Sequence, residues 1–157
     1  MTFEDYINSY KNLLFKIARI YCYNKEEQKD LVQEIVIQLW KAYPKYDSSY
    51  TLSTWTYRIA LNVCISYVRK TTVRKKALDK YREFVQIDIS EDAVDEEKMT
   101  KLTQALSVLN SVERAIIMLN LDGSSNKEIA KIIGVTPSNV STRLVRIKSK
   151  LRKEVKQ

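Results

Sequence analysis

Asn126-Lys127-Glu128-Ile129-Ala130-Lys131-Ile132-Ile133-Gly134-Val135-Thr136-Pro137-Ser138-Asn139-Val140 is the stretch in which cap, turn and helix signals coincide. Its first half predicts a helix with Ile129, Ile132 and Ile133 on one face, opened by Asn126, whose side chain can accept from free N–H groups. Gly134 closes that helix, since glycine takes the left-handed conformation that ends a helix, and Val135 plugs the corner. Thr136-Pro137 then restarts helical structure as an N-cap followed by proline at the first position. Val140, Leu144, Ile147 and Leu151 recur at spacings of four, three and four, which makes one buried stripe. Small Ala130 lets the two helices cross closely. The opposite face presents Asn139, Ser141, Thr142, Arg143, Arg146, Lys148 and Lys150, with no carboxylate before Glu154. This is the pattern of a helix-turn-helix offering donors to phosphate oxygens and base edges. The competing account is a helical hairpin with a solvated face, but such a face usually mixes both charge signs.

Charge along the rest of the chain fits a polyanionic partner. The 157 residues carry a net charge of +8, unevenly distributed. Residues 1–78 hold 13 basic and 7 acidic side chains, residues 79–98 hold 3 and 8, and residues 99–157 hold 11 and 4. Two basic blocks therefore flank an acidic bridge, and nucleic acid or an anionic membrane surface are the candidate partners. With two glycines and two prolines, the chain is expected to be all-α, as one domain or two small ones. No apolar run approaches a membrane span, and the start, with Glu4 and Asp5, does not read as a signal peptide, so a cytoplasmic location is expected. Cys22 and Cys64 stand alone and histidine is absent, which argues against a zinc site and makes both cysteines small core residues. Without histidine, a phosphate loop or a GxSxG turn there is little material for an enzyme, and no cofactor is expected.

Upstream, residues 2–23 predict a helix with Phe3, Tyr6, Ile7, Tyr10, Leu13, Leu14, Ile17 and Ala18 along one side. Residues 24–28 read as a polar break. A second helix over 30–41 carries two apolar rows, Leu31-Ile35-Leu39 and Val32-Val36-Trp40, beside a polar ridge of Asp30, Gln33, Glu34, Gln38 and Lys41 that by itself is a solvated side. Residues 42–52 form a loop holding Tyr43, Tyr46 and Tyr50, rings that either fold onto the core or stack on unpaired bases. A long helix follows to about residue 70, capped by Ser53 or Thr54, with Trp55, Ile59, Val63 and Tyr67 as its buried row, reinforced by Ala60, Cys64 and Val68. Arg58, Asn62, Ser66 and Arg69 make an outward ridge without a carboxylate, extended in charge by Lys70, Arg74, Lys75 and Lys76. From Phe84 to Ile89 the residues alternate like a short strand with no partner, and the acidic run from Glu91 to Glu97 marks a linker over 79–98. About 20 extended residues reach roughly 70 Å, close to two turns of B-DNA, so the basic blocks can sit on separate sites of one duplex. Leu102, Leu106, Leu109, Ile116, Ile117 and Leu119 then supply the helices of a compact four-helix unit ending in the helix-turn-helix.

Three motifs in order carry a resemblance. Asp30-Leu31-Val32-Gln33-Glu34-Ile35 onward to Leu39-Trp40, Ser53-Thr54-Trp55-Thr56-Tyr57-Arg58-Ile59-Ala60 with Asn62, and Glu128-Ile129-Ala130 through Arg143-Leu144 resemble bacterial sigma-70 family sigma factors, more narrowly the extracytoplasmic-function (ECF) group. The likeness covers nearly the whole chain and implies two small helical domains joined by a flexible linker: region 2 over 1–78 and region 4 over 99–157, with 79–98 between them. It implies a non-enzymatic specificity subunit that binds core RNA polymerase, through the beta-prime clamp helices and the beta flap, and directs initiation at promoter DNA, with an anti-sigma factor as a further partner. Asp30, Gln33, Glu34 and Gln38 would dock on the clamp helices. Tyr46, Ser49, Trp55, Arg58, Asn62, Ser66 and Arg69 would read the −10 element and trap a flipped base, which needs stacking and a positive groove rather than a catalytic residue. Ser141, Thr142, Val145 and Arg146, with Asn139, would read the −35 element in the major groove, and Arg143 and Lys148 would hold phosphates. The linker would thread towards the active-site channel and the RNA exit path.

The chain departs from the family where Val36 replaces a common phenylalanine, Ser66 a frequent aspartate, and Asn110 the usual proline of the Leu-Pro motif that opens region 4. A free-standing helix-turn-helix regulator with a helical dimerisation domain is the alternative, and a membrane-surface or signalling protein a third. The tyrosine loop and the Trp55 helix weigh against a repressor, which has no need to hold single strands.

Overall fold

The computed structural model describes residues 2–85 and 105–155. The described residues are helical, without a strand: α1 Phe3–Tyr21, α2 Lys25–Ala42, a 3-10 turn at Tyr43–Lys45, α3 Leu52–Val85, α4 Ser111–Leu121, α5 Asn126–Ile133 and α6 Pro137–Val155.

Local chemistry sets the boundaries. Thr2 and Asp5 form a reciprocal capping box, in which the Thr2 hydroxyl accepts the Asp5 N–H at 3.1 Å and the Asp5 carboxylate accepts the Thr2 N–H at 3.3 Å. The expected polar break at 24–28 is instead the first turn of α2. Asn24 caps it through the Glu26 N–H at 2.7 Å, and Glu26 and Glu27 lie at its positive end. Gln28 reads as polar loop yet is buried, because its amide donates to the carbonyls of Cys22 and Tyr23 at 2.9 and 3.4 Å and so closes the end of α1. At α3 the cap is Thr51, two residues before Ser53; its hydroxyl accepts the Thr54 N–H at 3.2 Å. The helix continues to Val85, past residue 79 where the linker is expected to begin, and takes in Phe84 and Val85 of the expected strand. Residues 86–89, the acidic run and Leu102 lie outside the described residues.

In the first half, Tyr6, Leu14, Ile17 and Ala18 of α1, Leu31, Ile35 and Leu39 of α2, and Thr56, Ala60 and Cys64 of α3 are fully enclosed. The Thr56 hydroxyl donates to the Leu52 carbonyl, so the Tyr6 hydroxyl donates to Thr56 and pins α1 to α3. In the second half, Asn110 stands where the resemblance has proline and caps α4. Its side chain accepts the Glu113 N–H at 2.9 Å while the Glu113 carboxylate accepts the Asn110 N–H at 3.0 Å. Ser125, one residue before the expected Asn126, caps α5 by accepting the Glu128 N–H at 3.1 Å. Gly134 has φ +89°, and it and Val135 both donate to the Ala130 carbonyl. Ala130, Val140 and Ile147 are buried where α5 and α6 cross, as their spacing predicts.

The two halves touch. α3 packs against α4 and α5, and the buried residues of both halves belong to one cluster. The Tyr21 hydroxyl donates to the Ser111 carbonyl at 2.7 Å.

Two consequences can be measured. Asn110→Ala removes the side-chain acceptor of a capping box and is expected to lower unfolding free energy by about 1 kcal/mol in chemical denaturation, with Asn110→Asp recovering most of it. Burial pushes the Cys22 thiol up to about 11 and the Tyr6 hydroxyl up to about 12. Groups with raised folded values contribute stability that is complete below their unfolded values and is lost as pH rises through the folded ones. Melting temperature should therefore fall from about pH 9 towards pH 12, while the absence of histidine keeps it nearly flat between about pH 6 and 8.

Candidate nucleic-acid interface

On α2, Asp30, Gln33 and Glu34 are exposed and Gln38 is half-buried, so the ridge expected from periodicity exists. Among these polar groups stand Ile37 and Trp40, 45% and 63% exposed. Trp40 is expected in a buried row with Val32 and Val36, and the structure corrects this. Members of an i, i+4 row advance about 40° around the helix at each step, so the row winds off the core. Val32 is buried, Val36 half-buried and Trp40 in solvent. An exposed tryptophan among carboxylates and amides is a common feature of surfaces that a protein partner covers.

The ridge continues into a cavity of about 570 Å3 between α2 and α3. Glu34 and Gln38 line one wall, and Asn62, Ser66, Tyr67 and Lys70 the other. Residues expected to dock a protein and residues expected to read DNA thus share one cleft. Arg69 is exposed farther along α3. The expected buried row of α3 is enclosed only at Trp55, because Ile59, Val63 and Tyr67 are half-buried and line the cleft. The innermost positions lie one residue later in each turn, at Thr56, Ala60 and Cys64.

The tyrosines of the loop fold back. Tyr46 packs edge-on against Trp55 with ring centroids 5.2 Å apart, and its hydroxyl donates to the Tyr50 carbonyl. Trp55 is 8% exposed, so its ring holds the loop in place and has no face open to DNA. Asp47 accepts the Ser49 N–H at 2.9 Å, which tightens the turn and holds its carboxyl below the usual range. Ser49 is exposed at that turn. The Arg58 guanidinium lies 5.0 Å above the Tyr50 ring, the geometry of a cation–π contact. It also donates to the Lys131 carbonyl at 2.6 Å.

In the second half, Thr136 caps α6 by accepting the Asn139 N–H at 3.1 Å, and Asn139, Ser141, Thr142, Val145, Arg146 and Lys148 are all exposed. Val145, at 69%, is an apolar group held in water on an otherwise donor-rich face. Arg143 is half-buried and donates through Nε to Asn139 at 2.8 Å, which fixes the guanidinium against the first turn. Lys150 departs from the basic face and pairs with Glu113 at 2.9 Å. Burial pushes the Glu113 carboxyl up, but the Asn110 N–H and the Lys150 ammonium outweigh it and hold the carboxyl below the usual range. Neither Trp40 nor Lys150 is placed correctly by sequence, since both depend on which neighbour the helix meets.

Among the described residues no group of three or more cysteine or acidic side chains could hold a metal, and no helix is long and apolar enough to cross a membrane. Cys22 and Cys64 are buried and unpaired.

Comparison with known proteins agrees with this arrangement. The family models for Sigma-70 region 2 and Sigma-70, region 4 match residues 6–82 and 99–151. The ECF RNA polymerase sigma factor SigW of Bacillus subtilis is 26% identical, covering 98% of this chain and 89% of that protein. SigX of the same organism, also an ECF RNA polymerase sigma factor, is 28% identical over 98% of this chain and 84% of its own length. Among solved structures, the sigma factor RpoE in complex with the anti-sigma factor NepR from Bartonella quintana superposes with a TM-score of 0.73 at 19% identity, covering 98% of this chain and 96% of that one. CnrH in complex with the cytosolic domain of CnrY gives 0.70 at 20% identity, over 98% and 87% of the two chains. With both halves matched in order and an exposed helix face that has no carboxylate before Glu154 in the second half, the chain belongs to the sigma-70 family of RNA polymerase sigma factors, in the ECF group.

Proposed function

We propose that this sigma factor grips promoter DNA at two points and core polymerase at a third, and performs no bond-making chemistry of its own. The observation that carries the reading is the α6 face, where Asn139, Ser141, Thr142, Val145 and Arg146 stand exposed along a helix capped at its start by Thr136. A helix of this width fits a major groove, its donors suit base edges, and a lone apolar side chain suits a thymine methyl. These residues read the −35 element, and Arg143 and Lys148 hold phosphates beside it. The α3 face, with Arg58, Asn62, Ser66 and Arg69, and the 46–53 loop read the −10 element and hold the opened strand. Trp55 serves from behind by fixing Tyr46.

The α2 ridge of Asp30, Gln33, Glu34 and Gln38 docks on the beta-prime clamp helices, with Trp40 and Ile37 as its apolar centre, and the second half reaches the beta flap. Residues 79–98 connect the two functions, and an anti-sigma factor is a fitting regulatory partner because the RpoE structure above is a complex of that kind. Work on chromosomal promoters places the protein in the cytoplasm. Run-off transcription with core enzyme over a promoter library tests the reading. Promoter-dependent transcripts are expected, and their absence over core alone contradicts it. Tight binding to a palindrome without polymerase would instead favour the free-standing regulator.

Arg146→Ala should cost about 1–3 kcal/mol of −35 discrimination, a loss of roughly five- to 150-fold, with core affinity unchanged. At the other surface, Trp40→Ala should weaken core binding by about 30-fold, the loss expected of an interface tryptophan worth about 2 kcal/mol. Glu34→Lys should weaken it too, through like-charge repulsion and desolvation, and full affinity in both variants returns the ridge to an ordinary solvated face.

A further inference from the structure

The elbow where α1 passes into α2 takes no part in the proposed grip on DNA or polymerase, yet it holds a cavity of about 650 Å3. That volume is in the range of small-molecule sites. Phe15 and Arg19 of α1 line it, with Tyr23 at the corner and Lys25, Gln28 and Lys29 of α2. Arg19, Lys25 and Lys29 are exposed, and no carboxylate lines the cavity. Lys29 approaches Glu26 only to 3.9 Å, with both side chains largely in water, so that pair neutralises little. Three cations without a counter-charge in the cavity favour an anion. Phe15 is half-buried and Tyr23 is 42% exposed, so the anion would meet aromatic surface as well.

Gln28 adds a requirement of its own. It is 8% exposed, and its Nε2 donates to the Cys22 and Tyr23 carbonyls at 2.9 and 3.4 Å. Those bonds fix which way round the amide lies and leave Oε1 on its other side. Among the described residues Oε1 accepts no hydrogen bond. A buried carbonyl oxygen without a donor is costly, and a ligand that brings an N–H removes the cost.

We propose that this elbow binds a purine nucleotide with two or three phosphates and an exocyclic amine. The phosphates meet Arg19, Lys25 and Lys29, the base lies against Phe15 and Tyr23, and the amine donates to Gln28 Oε1. A simple inorganic anion would leave the rings and Gln28 unused, and an apolar ligand would leave the cations unused. Lys29 stands one turn before Gln33, so the nucleotide lies at the near end of the α2 ridge proposed to meet polymerase.

The full-length protein, labelled with nitrogen-15, is titrated with ATP, inorganic triphosphate and purine riboside triphosphate, which lacks the amine. Amide shifts locate binding and calorimetry measures it. ATP is expected to shift amides within residues 15–29 and to leave those of 139–148 in place. It should bind about tenfold tighter than triphosphate through the base contact, and about fivefold tighter than the analogue without the amine. Tyr23→Ala should bring ATP down towards triphosphate without changing triphosphate itself. Lys25→Gln with Lys29→Gln should weaken both ligands by about fivefold. Three results overturn the proposal. One is the absence of shifts at 15–29 with millimolar ATP. A second is equal affinity for ATP and triphosphate, the mark of an anion held by surface charge alone. The third is displacement of ATP from the same amides by a tighter-binding single-stranded oligonucleotide, which would make the elbow a nucleic-acid surface.

Discussion

Thr56, Ala60 and Cys64 set the spacing of the first half. They occupy one side of α3 at intervals of four and are fully enclosed, and small side chains at a crossing let helix axes approach towards the lower end of the usual 8–10 Å. Tyr6 of α1 reaches Thr56 directly. With the small row innermost, the larger Ile59, Val63 and Tyr67 are turned outward to line the cleft that Glu34 and Gln38 close from α2. The ridge proposed to face DNA lies one further step round the same helix. The position of every candidate contact on α3 therefore follows from which side of that helix is thin enough to pack.

The same geometry places the polar cleft and the tyrosine loop at adjacent positions on one scaffold. Trp55 anchors Tyr46, and Tyr46 fixes Tyr50, so the loop is preorganised by a buried ring behind two half-buried ones. Holding a strand open by binding alone requires such rigidity, because each base taken from the stack costs a few kcal/mol and no chemical step recovers it. The second half meets a different requirement. Its recognition helix needs only a cap, a tight corner and a buried stripe, which Thr136, Gly134 and Val140-Leu144-Ile147 supply locally.

That contrast also decides what could be read from the chain. The helix-turn-helix is written in short-range chemistry, and sequence placed its corner, the stripe as far as Ile147 and most of its exposed face correctly, missing its first cap by one residue, Ser125 for Asn126. Features that depend on a distant partner were not legible. Gln28 looks like loop until the carbonyls it closes are known, and Trp40 looks like core until its row is followed round the helix. Lys150 belongs to the basic face until Glu113 claims it. For α3 the sequence points to the large row of Trp55, Ile59, Val63 and Tyr67 as the innermost, with Ala60 and Cys64 as its reinforcement, whereas the small residues are the ones fully enclosed. A run of basic residues past Lys70 looked like the end of a helix that in fact continues to Val85.

Footprinting of the polymerase–promoter complex tests the two-point grip most directly, with hydroxyl radical to map protection and permanganate to mark unpaired thymines. The account predicts two protected patches about two turns of B-DNA apart, with reactive thymines confined to the downstream one. A single continuous patch, or reactivity at the upstream patch, would contradict it.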